Sequence, residues 1–124
     1  MRLEKSDPIT ELLTRGVDKL LVRDRLESKL RGFTHTKTPL RVKLGIDPTS
    51  INIHVGRAVS LMKLRDFQEL GHTVLLIFGD FTGVIGDASD KTTERPMLEQ
   101  DTVNKNAEQY LAQCARILDI KKTE

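Results

Sequence analysis

Cysteine, aromatic residues and long hydrophobic runs are all scarce in this sequence. One of its 124 residues is cysteine, so no disulfide can form within the chain. No stretch approaches the roughly 18 consecutive apolar residues that a membrane helix requires. The start of the sequence, MRLEKSDPITELL, lacks the apolar core and the cleavage site of a signal peptide. These absences predict a cytoplasmic protein without a membrane segment.

Length and charge limit the class of protein. A chain of 124 residues can bury the core of one domain, or of part of one. Its formal net charge of +2 is too small to indicate a nucleic-acid partner, because such partners normally require a clustered basic face. Function must therefore be sought in local motifs.

The first part of the sequence predicts two helices. Asp7 before Pro8 is the pattern of a helix N-cap followed by proline at the first helical position. The apolar pattern that follows ends at Gly16. Asp24 is predicted to cap a second helix, which Gly32 is predicted to end.

The remainder of the chain predicts strands that alternate with helices. The predicted elements are a strand at about 40–46, a helix from Asn52 to about 70, a strand in HTVLLIFGD that is buried on both faces, and a helix from about 103. A strand, a helix and a strand within about forty residues form a βαβ unit with parallel strands. On the last helix, Tyr110 and Cys114 fall on the apolar face and are predicted to be core residues.

Two loops follow the carboxyl ends of these strands, where ligands bind in parallel sheets. They are GIDPTS and GDFTGVIGDASDKTTERP. The segment GDASDKT of the second loop ends in Lys-Thr, as a Walker loop does. That motif, however, requires glycine where the chain has Ile85 and Asp90. The spacing of a dinucleotide-binding glycine motif is also missing. Cys114 is alone and the three histidines are scattered, so the sequence predicts no metal site.

The segment HVGR begins the helix that follows the first strand. Free backbone amides and the positive end of the helix dipole favour an anion at such a position. His54 adds a hydrogen-bond donor, and Gly56 removes the side chain that would block a flat ligand. The alternative is that His54 merely starts the helix, Gly56 is a packing glycine and Arg57 is a solvated charge. The motif alone leaves both interpretations open.

Taken together, the motifs resemble those of the class I aminoacyl-tRNA synthetases, specifically the bacterial-type tyrosyl-tRNA synthetases. ELLTRG, LRVKLGIDPTS, LRDFQELGH and IGDASDKTTERP occur in the family's order and approximate spacing. HVGR stands in the place of the family's H-I-G-H signature. The resemblance covers nearly the whole chain.

This resemblance implies a fold, a reaction and partners. The fold is α/β, the N-terminal part of a Rossmann-type class I synthetase catalytic domain, with parallel strands joined by crossover helices. Residues 1–35 form a helical lead-in, and residues 36–124 form part of the nucleotide-binding domain. The family activates tyrosine with ATP and Mg²⁺ to give tyrosyl-adenylate, and transfers the tyrosyl group to tRNA(Tyr). Its members are cytoplasmic and usually homodimers.

The resemblance also implies roles for particular residues. The implied ATP-binding residues are Asp47, Thr49, His54, Gly56, Arg57 and Ser60; the implied tyrosine-binding residues are Lys43, Leu44, Gly45 and Asp87; the implied catalytic residues are Thr49, His54, Lys91 and Arg95. No residue is implied as a metal ligand. The alternatives are that Lys91 and Arg95 are ordinary solvated charges, and that Ser60 is a helix serine without a role.

The sequence departs from the family pattern in three places. Arg57 replaces the second histidine of the signature, Ala88 replaces the proline after Asp87, and Asp90 replaces a loop glycine. The family's K-M-S-K-S loop is not found among the 124 residues. We therefore expect a fragment of a tyrosyl-tRNA synthetase that is inactive in isolation. A non-catalytic nucleotide-binding paralogue and a small nucleotidylyltransferase are the alternatives.

Overall fold

A computed structural model describes residues 6–47, 52–79 and 100–124 of the protein. The helices are α1 (Pro8–Thr14), α2 (Arg23–Thr36), α3 (Val55–Glu69) and α4 (Gln100–Cys114); the strands are β1 (Arg41–Ile46) and β2 (Thr73–Phe78); a 3-10 turn spans Ile120–Lys122. No helix within these ranges is long and apolar enough to cross a membrane.

The two strands pair in parallel, with Arg41 opposite Thr73 and Ile46 opposite Phe78. Because α3 connects them, the predicted βαβ unit and the α/β class are confirmed. The alternation of apolar and charged residues in β1 reflects one packed face, since Val42, Leu44 and Ile46 all belong to or contact the main core.

The prediction that β2 is buried on both faces is wrong. Val74 is fully buried, and Leu76 and Phe78 pack on the same core. On the opposite face, the side chain of Ile77 is 50% exposed. Within the described part of the chain, the unbroken apolar run TVLLIF therefore forms a strand with only one face buried in the core.

Two apolar clusters hold these elements together. The main core joins β1, β2, α3 and α4, and its buried residues are Ile46, Leu61, Leu64, Val74, Tyr110, Cys114 and Leu118. Both core predictions on α4 are thereby confirmed. A second cluster of Leu12, Leu13, Leu30 and Phe67 packs α1 and α2 against the other side of α3. The predicted boundary between residues 35 and 36 stays a prediction.

Two polar side chains of α3 fasten distant segments to it. The ammonium of Lys63 donates to the backbone oxygens of Leu12 and Arg15, at 2.9 and 2.7 Å, and so satisfies carbonyls at the end of α1. Buried Gln68 donates to the oxygens of Asp119 and Thr123, and accepts from the Asp119 amide at 3.0 Å. These bonds place Thr123 beside Val74, to which it forms a parallel bridge.

Some predicted helix ends are confirmed. Asp7 is the N-cap of α1, and its carboxylate accepts from the Thr10 amide at 3.2 Å. Gly71 follows the end of α3 with a φ of +93°, a conformation that favours glycine. The last helix begins at Gln100, within one turn of its predicted start.

Other predicted ends are wrong. Asp24 lies in the first turn of α2, and Val22 holds the N-cap position. Gly32 lies inside α2, because the helix continues until Lys37 caps it in a left-handed conformation. Because the helix continues past Gly32, the ring of Phe33 packs against His72 in a tilted arrangement, with ring centroids 4.7 Å apart.

His72 is a buried polar residue at the start of β2. Its side chain is 3% exposed, and its Nδ1 accepts a hydrogen bond from the Leu40 amide at 3.3 Å. The rings of Phe33 and Phe67 lie against it. Burial lowers the pKa of His72 below its ordinary value of 6.5, because the apolar surroundings disfavour the charged imidazolium.

We predict that the free energy of unfolding decreases as the pH falls below about 6.5. In this window the unfolded chain binds a proton at His72, whereas the folded chain keeps the ring neutral until its lowered pKa is reached. Urea denaturation between about pH 7.5 and 5.5 measures the effect. The pKa of Asp7 is lowered from 3.8 to about 2, first by its hydrogen bond to Thr10. The loss of stability that follows protonation of Asp7 therefore occurs at lower pH than the loss caused by His72.

The control for this prediction is a matched pair of histidine variants. His72→Gln keeps an acceptor for the Leu40 amide but cannot titrate, and should flatten the pH dependence. His35→Gln changes an exposed histidine at the end of α2 and should leave the dependence in place. An unchanged slope in His72→Gln would contradict the assignment.

Candidate functional site

A cavity of about 420 Å³ lies between the end of β1, the start of α3 and the middle of α4. Its lining residues are Leu44, Gly45, Ile46, His54, Gly56, Arg57, Ser60, Leu61 and Tyr110. The lining combines apolar side chains with the imidazole of His54, the guanidinium of Arg57 and the hydroxyl of Ser60. Six of the predicted site residues therefore meet in one cavity at the carboxyl end of a parallel strand.

His54 is the N-cap of α3, a position that sequence analysis gave to Asn52. Its backbone is extended, and its Nδ1 accepts a long hydrogen bond of 3.4 Å from the Arg57 amide. The Arg57 amide also donates to the His54 carbonyl oxygen at 3.0 Å, so it is not one of the free amides that the sequence predicts at this helix start. With Nδ1 as acceptor, Nε2 carries the proton of the neutral ring and is the available donor.

Gly56 leaves room for the His54 ring. A Cβ at this position would lie 3.1 Å from Nδ1 and 3.2 Å from Cε1 of the imidazole. A side chain at this position would therefore require the His54 ring to shift by a few tenths of an ångström. Both predicted signature residues have their geometry explained by this one contact.

Arg57 is half-buried and lies on the cavity wall beside Tyr110. Burial raises the pKa of Tyr110, while the nearby Arg57 guanidinium opposes this rise through its charge and hydrogen bonding. Whether Arg57 binds a ligand or is an ordinary solvated charge stays a prediction. The apolar helical spacing predicts Tyr110 as a core residue and gives no signal that it also lines a cavity.

The residues of β1 divide between the cavity and the surface. Leu44 and Gly45 line the cavity, and a Cβ on Gly45 would meet nothing within 4 Å. Lys43 is exposed and lies outside the lining, as does half-buried Asp47. Their predicted ligand contacts stay predictions. The predicted site residues Thr49, Asp87, Lys91 and Arg95, and the substitutions Ala88 and Asp90, lie outside the described residues.

The sequence that forms this cavity is similar to sequences of known proteins. Residues 35–124 match the model of the family described as tRNA synthetases class I (W and Y). Similar proteins include the tyrosine–tRNA ligases of Burkholderia lata, Ralstonia nicotianae and Salinibacter ruber. They are 49% identical over 110 residues, 45% over 114 and 44% over 120, respectively. These alignments cover 89%, 92% and 94% of this chain, and 27%, 29% and 29% of the relatives.

The α/β unit and the family match define a class I tRNA synthetase of the tryptophan and tyrosine group. Within that group the chain belongs to the tyrosyl-tRNA synthetase family, as the resemblance predicted. It spans about 27% of the length of the Burkholderia lata relative and corresponds to the N-terminal catalytic region.

We predict that Gly56→Ala displaces the His54 ring although alanine favours the helix. Alanine gains up to about 1 kcal/mol of helix propensity, but loss of an N-cap costs about 0.5–2 kcal/mol. The variant should therefore gain less stability than alanine gives at a helix position without such a contact, and the His54 ring resonances should shift in NMR spectra.

Gly32→Ala is the matched control, because a Cβ there meets nothing within 4 Å inside α2. It should stabilise the protein by about 0.5–1 kcal/mol in thermal or urea denaturation. Equal stabilisation by both substitutions, with unmoved His54 resonances, would show that the ring does not depend on Gly56.

Proposed function

We propose that this chain supplies the ATP site of a tyrosine–tRNA ligase. The observation that carries the proposal is the convergence of Leu44, Gly45, His54, Gly56 and Arg57 on one cavity at the carboxyl end of β1. Family membership supports the choice of ligand. An apolar wall suits a purine, and a cationic edge at a helix start suits phosphates.

The proposed reaction requires little acid–base chemistry. The carboxylate of tyrosine attacks the α-phosphorus of ATP, a new C–O–P linkage forms, and the bond to the bridging oxygen breaks to release pyrophosphate. Negative charge moves onto the phosphoryl oxygens, so oriented donors and cations are what lower the barrier. The Nε2 donor of His54 and the Arg57 guanidinium are the groups of the cavity that fit this role.

The remaining parts of the proposal rest on the family. Thr49, Lys91 and Arg95 would assist the phosphates, Asp87 would bind the tyrosine ammonium, and tRNA(Tyr) would accept the tyrosyl group. Mg²⁺ would enter with ATP. In the described part of the chain, no group of three or more His, Cys, Asp or Glu side chains is arranged to hold a metal, so no protein ligand is named. A homodimeric, cytoplasmic enzyme is part of the same proposal.

A second candidate function is nucleotide binding without catalysis. Its support is Arg57, which stands where the family has histidine and lines the cavity together with Tyr110. Tyrosine-dependent exchange of pyrophosphate with ATP separates the two functions when measured on a full-length enzyme that contains this region. We expect the 124 residues alone to bind ATP without exchange, because the K-M-S-K-S loop is not among them.

We predict that His54→Asn weakens ATP binding by about ten- to hundredfold while α3 keeps its cap. Asparagine is among the best N-cap residues, but it cannot place a donor where Nε2 lies, and a hydrogen bond to a charged group is worth about 1.5–3 kcal/mol. Isothermal titration calorimetry with ATP measures the affinity, and thermal denaturation checks the fold.

His35→Asn is the matched control on the exposed end of α2 and should change neither quantity. If the parent chain binds ATP and His54→Asn binds it equally well, the proposed site is in the wrong place. If the parent fails to bind ATP at millimolar concentration, the proposed function of this chain is overturned.

A further inference from the structure

Arg57 and Tyr110 come from different helices and meet at the same cavity. The Tyr110 side chain is 2% exposed, and its ring packs edge-on against Phe78, with centroids 6.3 Å apart. Core packing therefore restricts where the phenol can lie. Its hydroxyl is a hydrogen-bond acceptor whose position is set before any ligand arrives.

Arg57 differs from Arg15, Arg31 and Arg65 in its partners. Arg15, Arg31 and Arg65 each pair with a carboxylate. No such pair involves Arg57 among residues 6–47, 52–79 and 100–124. Its guanidinium has five N–H donors, so contact with one hydroxyl leaves most of them, and the full positive charge, for a ligand.

We propose that Tyr110 is a positioning residue that holds the Arg57 guanidinium at the cavity wall, where it binds the phosphates of a nucleotide. The inference rests on the proposed function and adds a residue to that site. A free arginine side chain must lose much of its rotamer freedom when it binds a phosphate. A contact with Tyr110 restricts the Arg57 side chain before the ligand binds. Less conformational entropy is then lost on binding, which is the advantage of a preorganised site.

The chain contains its own probe for this contact. Tyr110 is its only tyrosine and it has no tryptophan, so the absorbance change on phenol ionisation reports Tyr110 alone. Because Arg57 lowers the pKa of Tyr110 against the larger effect of burial, Arg57→Gln should raise the pKa measured without ligand. Arg65→Gln, on the same helix but paired with Glu69, is the matched control and should leave it unchanged.

A second experiment compares the binding of ATP with the binding of adenosine, which lacks phosphates. Tyr110→Phe keeps the ring and removes the hydroxyl. It should weaken ATP binding by about three- to tenfold, the range for one hydrogen bond, and leave adenosine binding unchanged. In an Arg57→Gln background the same substitution should have no further effect on ATP, because Tyr110 acts through Arg57. Calorimetry on the 124-residue chain measures all four proteins.

The outcomes separate this inference from the proposed function. If the parent binds ATP but Tyr110→Phe weakens ATP and adenosine equally, or weakens neither, Tyr110 is only a core residue and the inference is overturned. An unchanged Tyr110 pKa in Arg57→Gln also overturns it, since the contact is then absent. If the parent binds no ATP, the proposed function and the phosphate role of Arg57 fail together, whatever the pKa result.

Discussion

The capping of α3 by His54 is the interaction on which the candidate site depends. Nδ1 of His54 accepts from the Arg57 amide, so one imidazole both begins the helix and stands at the edge of the cavity. The cap sets where the helix begins relative to the end of β1. Gly56, Arg57 and Ser60 then fall on the cavity side, and a Cβ on Gly56 would be in tight contact with the ring. The hydrogen bond between His54 and the Arg57 amide therefore both caps the helix and positions a side chain of the candidate site.

The positions of the strands and helices could be predicted from sequence because short-range patterns determine them. β1 alternates apolar and charged residues, and α3 carries an apolar stripe that ends before Gly71. Helix ends were predicted less well. Val22 and Lys37 adopt left-handed conformations that no propensity favours, and Gly32 stays helical because later residues of α2 pack on His72. Tertiary packing overrode the local signal at these places.

Contacts between residues far apart in sequence could not be predicted from spacing. Gln68 bonds to Asp119 and Thr123, more than fifty positions away, and Lys63 bonds to the end of α1 at a similar separation. The meeting of Arg57 with Tyr110 belongs to the same group. Motif resemblance identified the residues of the cavity edge, but only the fold shows that a tyrosine from α4 completes its wall.

In the proposed function, nucleotide occupies the cavity between β1, α3 and α4. Backbone amide NMR spectra recorded during an ATP titration show whether it does. We expect the largest shifts at Gly45, Gly56, Arg57 and Ser60, with small shifts around the Gln68 contacts on the far half of α3. Largest shifts around Gln68 and Asp119, with an undisturbed start of α3, would contradict it.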